Sequence, residues 1–366
     1  MSADLVKSPG TSPDPAPAEA PPRSLRPALR LGPEISFPVH VRSLVVFLAL
    51  LVITVVVAGW AMTLGTIDVP VGTLIQAVFG SGEDGIVRLI QNWRLPRVVI
   101  AIVGGASLGI AGAIFQSLTR NPLGSPDIIG FNNGAYSGAL IAILVLNTGR
   151  TGSTIGALIG GIVAAAIVVG LATRGGGLQG MRLIVVGIAI SAVLASLNVY
   201  LILRADLETA MAAAAWGMGI FDTITWSQVL PIVIALVVLV PVLCGFARSL
   251  RLLELGDDSA AGLGLNANRT RLILIVVGVG FTAAVTAAAG PILFVALAAP
   301  QLARRLTGSA GIPLAASAAM GALLLLVSDV AAQQLLAPKQ LPVGVITLTL
   351  GGAYLIGLLI AQSRKA

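Results

Sequence analysis

Long apolar runs broken by short polar stretches fill the chain from about residue 43 to its end. Runs near the length of a membrane span cover Ser43–Leu64, Val98–Leu118, Ile128–Leu146, Thr154–Ala172, Leu183–Leu203, Ser227–Phe246, Leu272–Ala289, Ile312–Val330 and Val343–Ala361. Runs of this length suit a helix across about 30 Å of hydrocarbon. A tenth run, Pro291–Leu302, is too short to cross as an ordinary helix. It is expected to be a half-length or tilted helix in the bundle interior, or else a re-entrant segment that leaves nine crossings. The pattern predicts an all-α, polytopic membrane protein, a helical bundle of about ten transmembrane helices.

Charge arbitrates the topology. With ten crossings and the N-terminus inside, sixteen of the 22 lysines and arginines fall on the inner side. Arg88, Arg94, Arg97, Arg150, Arg204 and Lys339 fall outside. That asymmetry follows the positive-inside rule and puts both termini in the cytoplasm. Composition agrees with a lipid solvent: 10% of residues are charged and 57% apolar, against about 25% charged in soluble domains. The 43 glycines permit close backbone approach between helices.

Residues 1–42 differ from the rest. Pro9, Pro13, Pro15, Pro17, Pro21 and Pro22 break any helix there, and a disordered cytoplasmic tail is expected ahead of a permease-like domain over residues 43–366. The first apolar run follows Arg42 and is long enough to span, unlike a cleaved signal peptide. Cys244 is the single cysteine and His40 the single histidine, which leaves no Cys/His metal cluster. No G-x-x-x-x-G-K-[ST] loop occurs, so ATP hydrolysis by this chain is not expected. A non-catalytic subunit without metal or cofactor of its own is expected.

A polar insert, Ala247–Arg271, lies between the sixth and seventh runs. Leu250, Leu252, Leu253 and Leu255 give a short helix an apolar side, and Gly256 stops it. Asp257 or Asp258 can cap a second short helix over Ser259–Leu263, ended by Gly262 and Gly264. Two readings fit these residues: a docking platform, or a hairpin lying on the bilayer surface.

Several motifs then carry a resemblance. RLPR stands at Arg94–Arg97 and GGASLGIAGAIFQSLTRNPLGSPDIIGFNNGA at Gly104–Ala135. LLELGDDSAAGLGLN follows at Leu252–Asn266, AGPILFVALAAPQLARRL at Ala289–Leu306, the pair Ser328–Asp329, and LPVGVITLTLGGAYLIGLL at Leu341–Leu359. In this order they resemble permeases of the iron–siderophore and vitamin B12 class of ATP-driven importers (FecCD type). Asn121, Pro122, Leu123, Gly130, Gly134, Pro300, Asp329, Pro342 and Gly344 match its structural motifs.

The resemblance implies two ten-helix permease subunits around a central path. Two cytoplasmic ATPases that use ATP and Mg dock below, and an extracytoplasmic binding protein docks above. It implies that the insert forms coupling helices in an ATPase groove, through Leu252, Leu253, Glu254, Leu255, Gly256, Asp257, Ala260, Gly262, Leu263 and Gly264. It also implies that Arg94 and Arg97 face acidic lobes of the binding protein, although lipid-headgroup anchoring remains compatible.

Gln301, Gln333 and Gln340 replace the histidine, arginine and glutamate common in the class, so Lys339 is the expected substitute for a missing outward cation. Phe131–Asn132 with Gly134, AAPQLARRL, AAQQLLAP and QLPVG resemble the ferric enterobactin branch. This implies a heterodimeric permease in a bacterial cytoplasmic membrane, with a catecholate ferric siderophore as cargo. Cobalamin or haem import is the alternative, and secondary transport a more distant one.

Within the membrane, Asp329 is a costly charge. It is read as a structural group bonded to a neighbouring loop rather than a proton relay. Ser191, Ser196, Asn198 and Tyr200 mark the fifth run; they either satisfy one another across a helix interface or line the path. Gly175, Gly176 and Gly177, followed by Gln179, form a flexible stretch at its cytoplasmic mouth. That stretch is either an inner gate or a plain connection.

Overall fold

The structure, a computed structural model, describes residues 28–30, 36–38, 41–65, 67, 69–127, 129–174, 177–178 and 180–363. Two units divide the chain, Met1–Val41 and Arg42–Ala366. In the first, strands β1 (Ala28–Arg30) and β2 (Ser36–Pro38) pair antiparallel. The remainder of the predicted tail lies outside the described residues.

The second unit is helical. It begins with α1 (Val41–Thr63), α2 (Val71–Val78) and α3 (Asp84–Leu89). A π-helical turn, Ile90–Arg94, leads into α4 (Leu95–Thr119). Next come α5 (Phe131–Leu140), prolonged by a π turn at Ile141–Val145, and α6 (Arg150–Ala172). A two-residue pairing of β3 (Thr173–Arg174) with β4 (Gly177–Leu178) precedes α7 (Gly180–Arg204). The chain continues through α8 (Leu207–Trp216), α9 (Trp226–Glu254), α10 (Asp257–Gly262) and α11 (Ala267–Ala289). It closes with α12 (Val295–Thr307), α13 (Leu314–Gln334) and α14 (Val343–Ser363).

Among the described residues, 7 helices are long and apolar enough to cross a membrane, and Phe131–Val145 and Val343–Gly357 are shorter apolar helices. With the 13-residue α12 these account for the ten helices expected. At 1.5 Å per residue α12 reaches about 20 Å, less than a bilayer core, as its short apolar run implied. The run Ile128–Leu146 differs from expectation. Its helix starts only at Phe131, because Pro122, Pro126 and Gly130 (φ 88) keep the preceding segment out of helix.

Burial orders the bundle. In α1 only 17% of the most apolar window is buried, whereas 78% is buried in the helix ending at Thr119. Every residue from Ser107 to Thr119 is buried, making α4 the central strut against which α9, α11, α12 and α13 pack. Glycine allows this density. A Cβ at Gly105 would run into the backbone of Gly321, and one at Gly134 into the backbone of Gly160. In lipid, where helices gain nothing from leaving water, close backbone contact of this kind holds them together. Two apolar clusters flank α4. One gathers Ile100, Leu108, Phe221, Val285 and Leu325, and the other Phe115, Phe281, Leu183 and Leu253.

Candidate functional site

Polar groups collect at three levels along the bundle. At the end of α4 that holds Arg97, the guanidinium grips Asp329 of α13, with Nε 3.0 Å and Nη2 2.9 Å from Oδ1. Its Nη1 donates to Gln340 Oε1 at 2.8 Å, and Gln333 Nε2 donates to Asp329 Oδ2 at 2.9 Å. Asp329 is fully buried, and Asp222 stands 3.9 Å from Arg97. A buried carboxylate is tolerated only when paired and hydrogen-bonded, and this one is. Asp329 thus bonds directly to Arg97 of α4 and Gln333 of its own helix, and Arg97 in turn reaches Gln340 in the connection before α14. The glutamines at 333 and 340 complete this cluster. Nearby, Arg94 donates to Met62 O (2.7 Å) and Ile67 O (2.6 Å). Arg94 and Arg97 are therefore both engaged within the chain, while Lys339 is exposed.

The middle level lies at the start of α5 and α12. Asp127, in the connection ahead of α5, accepts from Asn132 Nδ2 at 2.6 Å and from the Phe294 backbone N–H at 3.2 Å. Both bonds hold this carboxyl in place. Thr286 Oγ1 donates to Asn132 Oδ1 at 3.3 Å, so α11 joins the network. Asn133 Nδ2 donates to Ser191 O at 3.3 Å, and Ser137 Oγ to Asn198 Oδ1 at 2.6 Å. Asn198 of α7 is buried against α5, and its Nδ2 also donates to Asn133 O at 3.3 Å. Among the described residues, the buried Ser191 hydroxyl has no hydrogen-bond partner.

The third level is the insert. Its first expected helix is no separate element: α9 runs through to Glu254, tolerating Pro231 and Pro241. Gly256, at φ 112, breaks the chain, and α10 spans Asp257–Gly262, two residues earlier than expected at its start. Apolar residues split by direction. Leu253 and Ala260 are buried at 1% and 0%, while Leu255 and Leu263 are exposed at 68% and 65%. Leu252, Glu254, Gly256 and Asp257 are half-buried, and Gly262 and Gly264 are exposed. Exposed leucines on a polar loop form a surface that a protein partner can cover.

Ionic bonds fasten this insert to the bundle. Arg120, the αL cap of α4 (φ 50), places Nη2 3.0 Å from Asp257 Oδ1. Arg271 of α11 holds the same carboxylate through both terminal nitrogens, with Nη1 at 3.0 Å from Oδ2. Hydrogen bonding to Arg271, with the charges of Arg271 and Arg120, keeps Asp257 below the usual carboxylate range. Ser117 Oγ donates to Glu254 Oε1 at 2.6 Å. Beside them opens a cavity of about 170 Å³ lined by Gln116, Arg120, Glu254, Gln301 and Arg304 among others. Gln301 Nε2 donates to Gln116 Oε1 at 2.6 Å within it.

Of the gate residues, Gly177 begins β4, whereas Gly175, Gly176 and Gln179 lie outside the described residues. Among the motif residues, Asn121 Oδ1 accepts from Leu123 N at 2.9 Å to form a turn, with Pro122 between. Pro300 sits inside α12, and a Cβ at Gly344 would meet the backbone of Met218. Pro342 directly precedes α14.

A buried central strut and helices long and apolar enough to cross a membrane define a multi-pass helical membrane protein. The sequence matches the FecCD transport family over residues 50–361, and the chain belongs to that family. It is 46% identical over 325 residues to the ferric enterobactin transport system permease protein FepG of Escherichia coli (strain K12), covering 88% of this chain and 98% of that one. It is 34% identical to the Fe(3+) dicitrate transport system permease protein FecD of the same organism, over 84% of this chain and 96% of the relative. A solved inward-facing metal-chelate-type ABC transporter superposes with TM-score 0.74 at 25% identity, covering 87% of this chain and 99% of that one.

Proposed function

We propose that this chain is a permease subunit of an ATP-driven importer that carries a ferric siderophore of the catecholate type across the bacterial cytoplasmic membrane. The carrying observation is the 46% identity to a ferric enterobactin permease protein along nearly its whole length. A large chelate crosses intact rather than being stripped of solvent as an ion is in a filter, which suits a path between two permease subunits.

On this reading the exposed Leu255 and Leu263, with the turn at Gly256, meet a cytoplasmic ATPase. Two ATPase copies, a second and different permease chain and an extracytoplasmic binding protein complete the assembly, and the ATPases consume ATP with Mg. Lys339 and the Arg94–Arg97 region form the binding-protein face. Of these, Lys339 is the exposed cation. Gly175, Gly176, Gly177 and Gln179, ahead of α7, are the cytoplasmic gate.

Uptake of labelled ferric catecholate, ferric hydroxamate, ferric citrate, cobalamin and haem into cells lacking this chain tests the cargo. Loss of catecholate uptake, restored by the chain, is expected. Loss confined to cobalamin or haem would overturn the cargo assignment.

A further inference from the structure

We propose that Asp257, gripped by Arg120 and Arg271, is a positioning clamp that delivers movement of the coupling insert to α4 and α11 together. The proposal rests on the reading of residues 247–271 as the part that meets the ATPase.

Asp257 is the first residue of α10, immediately after the break at Gly256. Without side-chain ties, a break at a glycine with φ 112 would let the insert swing independently of the bundle. Ala260 packs into the apolar cluster around Phe115 and Phe281, and one carboxylate adds a charged tie to two helices. It bonds Arg120 at the end of α4 and Arg271 in the second turn of α11, while Glu254 on the other side of the break bonds Ser117 of α4. Arg271 is only 3% exposed, so one jaw of the clamp is set in the bundle, whereas Asp257 and Arg120 are each 45% exposed. An exposed pair adds little to stability; its geometric effect is to tie the insert to two helices at one point. Arg120 adopts φ 50, a conformation seldom used by a side chain with Cβ, and it does so where its guanidinium meets Asp257. Beyond the clamp, α4 is buried from Thr119 back to Ser107 and ends at the Arg97–Asp329 pair. A displacement of its cytoplasmic end therefore moves a close-packed strut rather than a flexible arm.

The test uses the assembled importer in proteoliposomes, with its ATPase and binding protein, and ferric enterobactin as the probe cargo. Asp257→Asn, Arg120→Gln and the double variant are compared for ATPase retained on the purified complex and for cargo moved per ATP hydrolysed. Cargo per ATP is expected to fall roughly threefold to thirtyfold in the single variants, with ATPase retained in Arg120→Gln, whose residue lies outside the docking set. The double variant is expected to be no worse than Asp257→Asn, the mark of one shared interaction. Unchanged cargo per ATP in both single variants would overturn the clamp, as would losses that multiply in the double variant. Parallel loss of ATPase and transport would also overturn it, leaving only a support for the docking surface. Should Asp257→Asn not reach the membrane, Arg120→Gln decides alone, since it leaves the Arg271–Asp257 bond in place. If the unaltered chain retains no ATPase, the docking reading itself fails. If it does retain the ATPase and the ratio does not move, only the clamp fails.

Discussion

The two ends of α4 carry the same chemistry in opposite settings. Arg97 and Asp329 meet where the carboxylate is fully buried and the guanidinium 13% exposed, whereas Arg120 and Asp257 are each 45% exposed. Water screens the second pair and not the first. The buried pair can be lost only by stranding a charge, which makes it a pin between α4, α13 and the connection to α14. The exposed pair can be broken cheaply, which suits a contact at a surface that meets a moving partner. One close-packed helix thus carries a buried charge pair at one end and an exposed one at the other.

The largest effect should come from breaking the pin. Asp329→Ala leaves Arg97 buried without its acid and is expected to cost about 3–5 kcal/mol, read as a lower thermal midpoint in detergent and poor accumulation in the membrane. Arg120→Gln should cost about 0–1 kcal/mol by the same measurement. Equal costs at the two ends would erase the contrast.

Next in size, the leucines of the insert should separate fold from docking. Leu253→Asp buries a charge in the cluster around Phe115 and Phe281 and is expected to abolish accumulation. Leu255→Asp, at a side chain 68% exposed, should leave accumulation intact and reduce ATPase capture, measured by co-purification. Normal capture by the Leu255 variant would remove that leucine from the docking surface.

Asp257 supplies a pH test of intermediate size. Hydrogen bonding to Arg271 holds its carboxyl below the usual carboxylate range, so its contribution to stability is present above that range and is lost as pH falls through and below it. The gap in thermal midpoint between the unaltered chain and Asp257→Asn should shrink as pH falls through the carboxylate range, and a constant gap would count against an ionised clamp. The smallest effect belongs to Lys339→Glu. It should slow association of the binding protein by roughly tenfold at low salt and less at physiological salt, with no change in thermal midpoint.

The lipid-driven part of the fold was legible. Apolar runs mark α1, α6, α7, α9, α11 and α13 to within a few residues at most ends, because a span must be long and apolar wherever it sits. What escaped depended on pairing across the chain. Arg97 and Asp329 lie 232 residues apart, so the acid could be flagged as costly while its partner could not be named. Asp127, an acid between Pro126 and an apolar run, carries the same signal as Asp329, and its partners Asn132 and Phe294 emerge only in the fold, where the starts of α5 and α12 meet. The start of α5 was placed too early because hydropathy does not distinguish a buried irregular segment from the first turn of a helix. In the insert, the leucines were legible as a group, but which of them face the bundle depends on α9 continuing to Glu254.

The most direct measurement is transport by the purified permease pair in proteoliposomes, with the ATPase and binding protein added and labelled ferric enterobactin outside. Accumulation that requires ATP and stops when the phosphate-binding lysine of the ATPase is replaced is the predicted result. Uptake at the same rate with that lysine replaced, or driven by a proton gradient without ATP, would contradict the assignment of this chain to an ATP-driven importer.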